Sequence, residues 1–503
     1  MEQDYRRIAD RIAADISRGR LRPGQRLPPQ RAFARRHGIA ASTAGRVYGE
    51  LVRRGLVVGE VGRGTFVRAT EPDAQPGRAL TEADGAGGGS GAVGEGDRAD
   101  RPDGADRGGA AAVNLELNYP SVPGQSELLA PALAPLLRPD VLAEALRRPA
   151  AAAGTADARE AVAGLLWAGG DDRPARAEGI LFTGNARQAI AATLASLVRP
   201  GGRIGVEPLT YPLVREISAR LGGTLVTLAC DERGPLPDAL AAAHRSAPLS
   251  ALYLQPTLHN PTSLTLDAER RAELAGVVHR LGIPVVEDRI WSFLHPGGPP
   301  PLAVLAPGFV HVVDGLSKRV APGLTVGFVA VPADRTEAVA RAVRSGGWGA
   351  SAFALEAAVR WIGDGTVARL VEAKRVDAGR RQRLVAEELA GFDVRSDPAA
   401  YFAWWRLPAP WRADTFTAAA RAHGIAVTPG TAFSVDPSRT PDAVRLGLAS
   451  VPEPELARAL RILAGVARGA GGATSAGGAG GAAGAVGGTG VVGGTGGGRA
   501  GAG

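Results

Sequence analysis

The chain has 503 residues, room for at least two domains, and a net charge of +8 that is unevenly spread. Residues 1–70 hold 15 arginines against six acids, a net +9, so the remainder sums to −1 and the basicity belongs to one N-terminal piece, the footprint of a polyanion-binding domain. The single cysteine, Cys230, excludes an internal disulfide framework, the seven histidines lack metal-ligand spacing, and no apolar run suits a signal core or a membrane span, so a reducing cytoplasm and no metal are expected.

In chain order, Tyr5, Ile8, Ile12 and Ile16 share one helical face, and that helix should end near Gly19. LRPGQRLPPQ is turn-rich, Pro29 opens a second helix through Arg36, and His37-Gly38 turn the chain into a third helix over Ser42–Arg53. VVGE and TFVR then read as two short strands around Gly62-Arg63-Gly64. The pattern is a helix-turn-helix with a small β-wing, in which the second helix of the pair would enter the major groove. Residues 71–112, rich in Gly, Ala, Asp and Glu, have almost nothing apolar to bury and read as a flexible acidic linker with a reach of roughly 35 Å. From Val113 to about 468, runs such as GILF, RIGVE, ALYLQP, PVVED and VHVVDG alternate with helical patterns, the signature of an α/β domain on a largely parallel sheet. The tryptophans of AYFAWWRLPAPW suit the packing of a small C-terminal α+β subdomain, and residues 469–503 read as a Gly/Ala-rich disordered tail.

The sharpest chemical signal is a lysine. Of 58 basic residues only two are lysines, Lys318 and Lys374, and a lysine, unlike an arginine, can lose its proton and act as a nucleophile. Lys318 follows the strand VHVVDG, Asp288 ends PVVED, Asn260 follows ALYLQP, and Arg445 lies in VRLGLA. Residues just past strand carboxyl ends of an open parallel sheet meet in one crevice. A pyridoxal phosphate site uses these types there: a lysine for the Schiff base, a carboxylate for the pyridine nitrogen, an asparagine for the ring oxygen, and an arginine for a substrate carboxylate. GNARQAI, residues 184–190, supplies a helix start whose amides can cradle the phosphate, which nominates Asn185, Ala186 and Arg187 together with Ser317 beside the lysine. Each has a plainer use: Asp288 as a turn cap, Asn260 before Pro261 as turn chemistry, Tyr211 as core packing, and Arg445 paired with an acid.

Residues 1–70 resemble, over nearly their whole length, the GntR-type winged helix through "IADRIAADISRGRLRPGQRLPPQRAFARRHGIAASTAGRVYGELVRRGLV" and "GRGTFV". The resemblance implies Arg31 and Arg46 on DNA phosphates, Ser42 and Thr43 on the recognition helix, and Arg63 at the wing tip. Ala40-Ala41 stand where the family often has Ser-Arg. The segments from Val113 to Arg468 resemble a fold-type I aminotransferase, and the whole chain resembles the MocR subfamily of regulators. By that resemblance Lys318 is the Schiff-base lysine of an internal aldimine, Asp288 the pyridine partner, Asn260 the ring-oxygen donor, Tyr211 the stacking aromatic and Arg445 the α-carboxylate receptor. Gly315 and Thr325 depart from it, because the family usually places a hydroxyl residue and an arginine there to reach the phosphate. Arg319 and Arg187 are the available substitutes, and the tyrosine usual shortly after the aspartate is replaced within Arg289-Ile290-Trp291.

The expected function is a DNA-binding transcriptional regulator that senses pyridoxal phosphate, an amino compound, or both, as a head-to-tail homodimer on an operator. A working aminotransferase with an accessory winged helix and a cofactor-free dimerisation scaffold remain the two alternatives.

Overall fold

A computed structural model describes residues 2–17, 20–21, 25–54, 56–60, 64–67, 113–147, 151–167, 177–436 and 439–475. The expected linker at 71–112, the wing-tip Arg63 and everything beyond Ser475 lie outside the described residues.

The N-terminal module contains α1 (Glu2–Ser17), α2 (Gln30–His37) and α3 (Ala41–Arg53), followed by the antiparallel hairpin β1 (Val57–Glu60) and β2 (Gly64–Val67). Gly38 makes the turn between α2 and α3 possible. Its φ of +62° is left-handed, and its N–H caps the carbonyls of Ala34 and Arg35. Ile12, Phe33, Val47, Leu51 and Val67 close one core, with the Phe33 and Tyr48 rings edge-on at 5.2 Å. The Tyr48 hydroxyl donates to the Pro28 carbonyl, and Arg54 ties α3 to α1 by bonding Glu50 at 2.7 Å and Asp10 at 2.5 Å. α3 is thereby held at a fixed angle to the helices behind it.

The large domain is built on seven strands: β3 (Ile180–Thr183), β4 (Arg203–Val206), β5 (Thr224–Thr227), β6 (Ala251–Leu254), β7 (Val285–Asp288), β8 (Val310–Gly315) and β9 (Gly327–Ala330). Their order is β3-β9-β8-β7-β6-β4-β5, with β9 antiparallel to both neighbours and the other pairs parallel. Alternate residues serve opposite faces: Phe182, Leu252 and Val312 enter one apolar cluster, while Leu181, Tyr253 and Val313 enter another. Burial on both faces explains why the inner strands read as continuous apolar runs, whereas the edge strand β5 leaves Thr224 and Thr227 exposed.

The smaller subdomain carries an antiparallel sheet of Asp393–Ser396, Phe402–Arg406, Ala443–Gly447 and Thr428–Pro429. Trp405 lies between the Phe392 and Phe416 rings at 5.0 and 5.2 Å, so the tryptophan run packs this subdomain as expected. Val113–Asn114 pairs in parallel with Ile425–Ala426, fastening the first described residues after the linker position to the subdomain. The last helix, Glu453–Ser475, buries Leu456, Leu460 and Leu463 and continues past the boundary expected at 468, through a stretch whose glycines have no helix preference of their own. Among the described residues no helix is long and apolar enough to cross a membrane, and no cluster of His, Cys, Asp and Glu could hold a metal.

Candidate functional site

β8 ends at Gly315, and the chain turns at once, with the Val320 N–H bonding the Leu316 carbonyl at 2.6 Å. This turn carries Lys318. Its Nζ donates to the Asn118 carbonyl at 2.8 Å and stands 3.9 Å from the centre of the Tyr119 ring and 5.1 Å from that of Trp291. Burial, with the nearby charges of Arg445, Arg187 and Lys374, holds the amine well below the usual lysine range. A half-buried lysine in this setting gives up its proton more readily than an exposed one, which suits a nucleophile.

Asp288 closes β7 on the neighbouring strand. Its Oδ2 accepts from the Tyr253 hydroxyl at 2.5 Å and from Gln255 Nε2 at 2.9 Å, while Oδ1 accepts the Ile290 N–H at 3.0 Å. The aspartate therefore does cap its turn, but three donors aimed at a buried carboxylate go beyond capping. Burial pushes its pKa up to about 6 despite those bonds, and a cation such as a protonated ring nitrogen would draw it back down. Asn260 joins the same network, its N–H bonded to Gln255 Oε1 at 3.2 Å, and its side-chain Oδ1 is buried with no partner. Tyr211 stands at the start of the helix Pro212–Arg220 without a capping bond, and burial raises the pKa of its hydroxyl. It packs against the apolar cluster that holds Tyr253, whose hydroxyl bonds Asp288. Glu207, just past β4, is buried and pushed up to about 8 by burial, beside a His259 held down to about 4 by the same cause.

The expected phosphate end is built differently from the family pattern. Asn185 caps the helix Ala186–Leu197 by accepting the Gln188 N–H at 3.0 Å. A Cβ on Gly327 would stand 2.1 Å from the Asn185 carbonyl carbon, so this glycine lets β9 lie against the helix start. A Cβ at Gly315 would meet the Val326 carbonyl at 2.9 Å and Ala186 Cβ at 3.4 Å, which explains why no hydroxyl side chain stands there. Thr325 presents a buried hydroxyl oxygen with no partner, and Ser317 is half-buried beside Lys318. Of the two arginines expected to compensate, Arg319 is excluded: it is buried in an ion pair with Asp314 at 2.5 Å and bonds the Gly315 carbonyl at 3.2 Å. Arg187 is exposed on the helix start, and its charge acts on both Lys318 and Tyr211.

Arg445 lies on the strand Ala443–Gly447, only 2% exposed, and burial lowers its pKa to about 10. Its Nη2 donates to the Glu116 carbonyl and, at 3.1 Å, to Thr428 Oγ1, while Nε is buried without a partner. The orphaned atoms of Asn260, Thr325 and Arg445, joined by the unpartnered Asn118 Nδ2, fit a polar ligand of the pyridoxal phosphate kind. Tyr253, Gln255, Asn118, Tyr119 and Trp291 are the site residues that sequence reasoning missed. Tyr253 and Gln255 were legible in principle, since two polar side chains at alternate positions of the apolar ALYLQP run share one face with no apolar reason to be there.

In the N-terminal module Ser42 is exposed and Thr43 half-buried in the first turn of α3, with Arg46 exposed one turn later and Arg31 exposed on α2. This is the presentation a recognition helix requires.

Residues 135–463 match the family described as aminotransferase class I and II, and residues 4–67 match the gntR family of bacterial regulatory proteins. A Bacillus subtilis (strain 168) chain named as the uncharacterized HTH-type transcriptional regulator YdeF is 29% identical over 444 residues, covering 88% of this chain and 90% of that one. The HTH-type transcriptional regulator TauR of Rhodobacter capsulatus is 29% identical over 501 residues, covering 90% and 96%. Among solved structures, an archaeal alanine:glyoxylate aminotransferase superposes with a TM-score of 0.65 at 20% identity over 71% of this chain and 91% of its own, a likeness of fold alone.

Proposed function

Because the chain belongs to the class I and II aminotransferase family and carries a gntR-type DNA-binding module, the MocR arrangement, we propose that it is a transcriptional regulator whose large domain holds pyridoxal phosphate at Lys318 and responds to that cofactor, to an amino compound, or to both. One observation carries this reading. Lys318 and Arg445, the residues suited to the cofactor and to an effector carboxylate, instead hold the backbone carbonyls of Asn118 and Glu116. Those carbonyls belong to the first described stretch after the segment that leads from the DNA-binding module.

Pyridoxal phosphate, when bound, supplies an aldehyde for a neutral amine and a ring nitrogen that a carboxylate keeps protonated. Asp288 would orient and charge the ring end, Asn260 would reach the ring oxygen, Tyr211 would cover one face, and the amides of Asn185 and Ala186 with Thr325 and Arg187 would take the phosphate, the Gly184 N–H being held by the Trp348 carbonyl at 3.0 Å. Arg445 can fork a carboxylate only by releasing Glu116, and Lys318 can engage a ligand only by releasing Asn118. Ligand binding thus competes with the contacts that pin residues 116–118, which gives the two arrangements the differential affinity a switch requires. A head-to-tail dimer in the cytoplasm would present two winged helices to one operator.

The test is an absorbance titration of the purified chain with pyridoxal phosphate, borohydride trapping, and a Lys318→Ala control, run beside operator binding with and without cofactor. A visible band fixed to Lys318 and an operator affinity that moves with cofactor are expected. No band, with DNA binding indifferent to cofactor, would reduce the large domain to a scaffold, and steady release of a keto acid would make the protein an enzyme.

A further inference from the structure

Lys374, the second of the two lysines, lies on the helix Thr366–Glu388 and is fully buried at 0% exposure. Its Nζ donates three hydrogen bonds, to the carbonyls of Lys318 at 3.0 Å, Arg319 at 2.9 Å and Val320 at 2.8 Å. These are three successive carbonyls of the turn that presents Lys318. An ammonium radiates three N–H bonds from one atom, whereas a guanidinium spreads its donors across a planar fork. Three converging carbonyls are therefore a reason to keep a lysine in a chain that otherwise uses arginine.

The lysine is itself anchored. The Tyr401 hydroxyl lies 2.8 Å from the Lys374 carbonyl and 2.8 Å from Asp377 Oδ2, and Arg381 bonds that same carboxylate oxygen at 2.7 Å. Arg381 also donates to the Leu448 carbonyl at 2.6 Å. The next residue, Ala449, gives its N–H to Asn118 Oδ1 at 3.2 Å. Asn118 is the residue whose carbonyl accepts Lys318 Nζ. The Lys318 turn is thus gripped by its carbonyls on one side and by its amine on the other, through one connected set of bonds.

We propose that Lys374 is a positioning residue that fixes the 318–320 backbone and so sets where the Lys318 amine stands. The proposal rests on the reading of Lys318 as the cofactor's lysine. Lys374 touches no ligand itself and acts only through the turn.

The experiment uses the full chain with Lys374→Met, which removes all three donors at similar length, and Lys374→Gln, which keeps two donors on one nitrogen. Pyridoxal phosphate needs the Lys318 amine, whereas pyridoxamine phosphate has no aldehyde and relies on the ring and phosphate contacts alone. Lys374→Met should weaken pyridoxal phosphate binding by about tenfold or more while changing pyridoxamine phosphate binding by less than about twofold, with Lys374→Gln between. In the cofactor-free protein, amide exchange at residues 316–320 should quicken by about tenfold or more in Lys374→Met. Equal losses for the two compounds, or unchanged exchange in the turn, would overturn the proposal. If the wild type takes up neither compound, the cofactor reading of Lys318 falls, and the exchange rates still decide whether Lys374 holds the turn.

Discussion

Replacing Asp288 by asparagine should strengthen the cofactor-free protein at neutral pH and weaken its hold on pyridoxal phosphate. Burial raises the folded pKa of Asp288 to about 6, against about 3.9 for an unperturbed aspartate. The folded state therefore binds the proton more tightly, and charging Asp288 in the fold costs stability as pH rises through the window from about 4 to 6. Two units correspond to about 3 kcal/mol, absent below pH 4 and complete by pH 7. An uncharged amide at this position would not carry that penalty. Its oxygen can keep the Tyr253 and Gln255 bonds, but its NH2 would face the Ile290 N–H, a loss of roughly 1 kcal/mol at every pH. Asp288→Asn should thus be about 1 kcal/mol less stable than wild type at pH 4 and about 2 kcal/mol more stable at pH 7.5, the latter worth about 3 °C in a domain of this size. Calorimetry of the cofactor-free large-domain transition at the two pH values reads the difference, and a titration reads an affinity loss of about tenfold or more from the missing ion pair. A stability difference that stays flat from pH 4 to 7.5 would refute the raised pKa. An unchanged affinity would refute the pairing with the ring nitrogen.

Arg46→Ala should weaken operator binding by a similar factor on every DNA sequence and lower the salt slope by about one, measured by titrations at several salt concentrations. Arg445→Met, which keeps an unbranched apolar chain in the buried slot, should abolish the response to amino-acid effectors while leaving pyridoxal phosphate uptake within about twofold of wild type, read by the same absorbance titration.

The sequence alone determined the parts whose information is local. Capping glycine, helical periodicity and two short strands sufficed for the winged helix, because each lies within a turn or two of its own signal. Alternating apolar runs and helices gave the α/β domain, and strand ends pointed to Asp288, Asn260 and Lys318, since the carboxyl ends of neighbouring parallel strands must share one edge. The rarity of lysine singled out both members of the Lys318–Lys374 pair but could not say what the second one did.

Only the tertiary structure decided which charges were already committed. Arg319 stands next to the reactive lysine in the chain, yet its side chain is spent on Asp314 inside the fold. Asn118 and Lys318 are separated by 200 positions and meet because Val113–Asn114 docks on Ile425–Ala426. The crowding that keeps Gly315 bare comes from Val326, just ahead of β9, and from Ala186, at the start of the helix Ala186–Leu197. Periodicity and composition report a residue's neighbours along the chain. Whether a donor is spent, a carbonyl is orphaned or a Cβ has room depends on neighbours in space, and those are fixed only when the sheet has assembled.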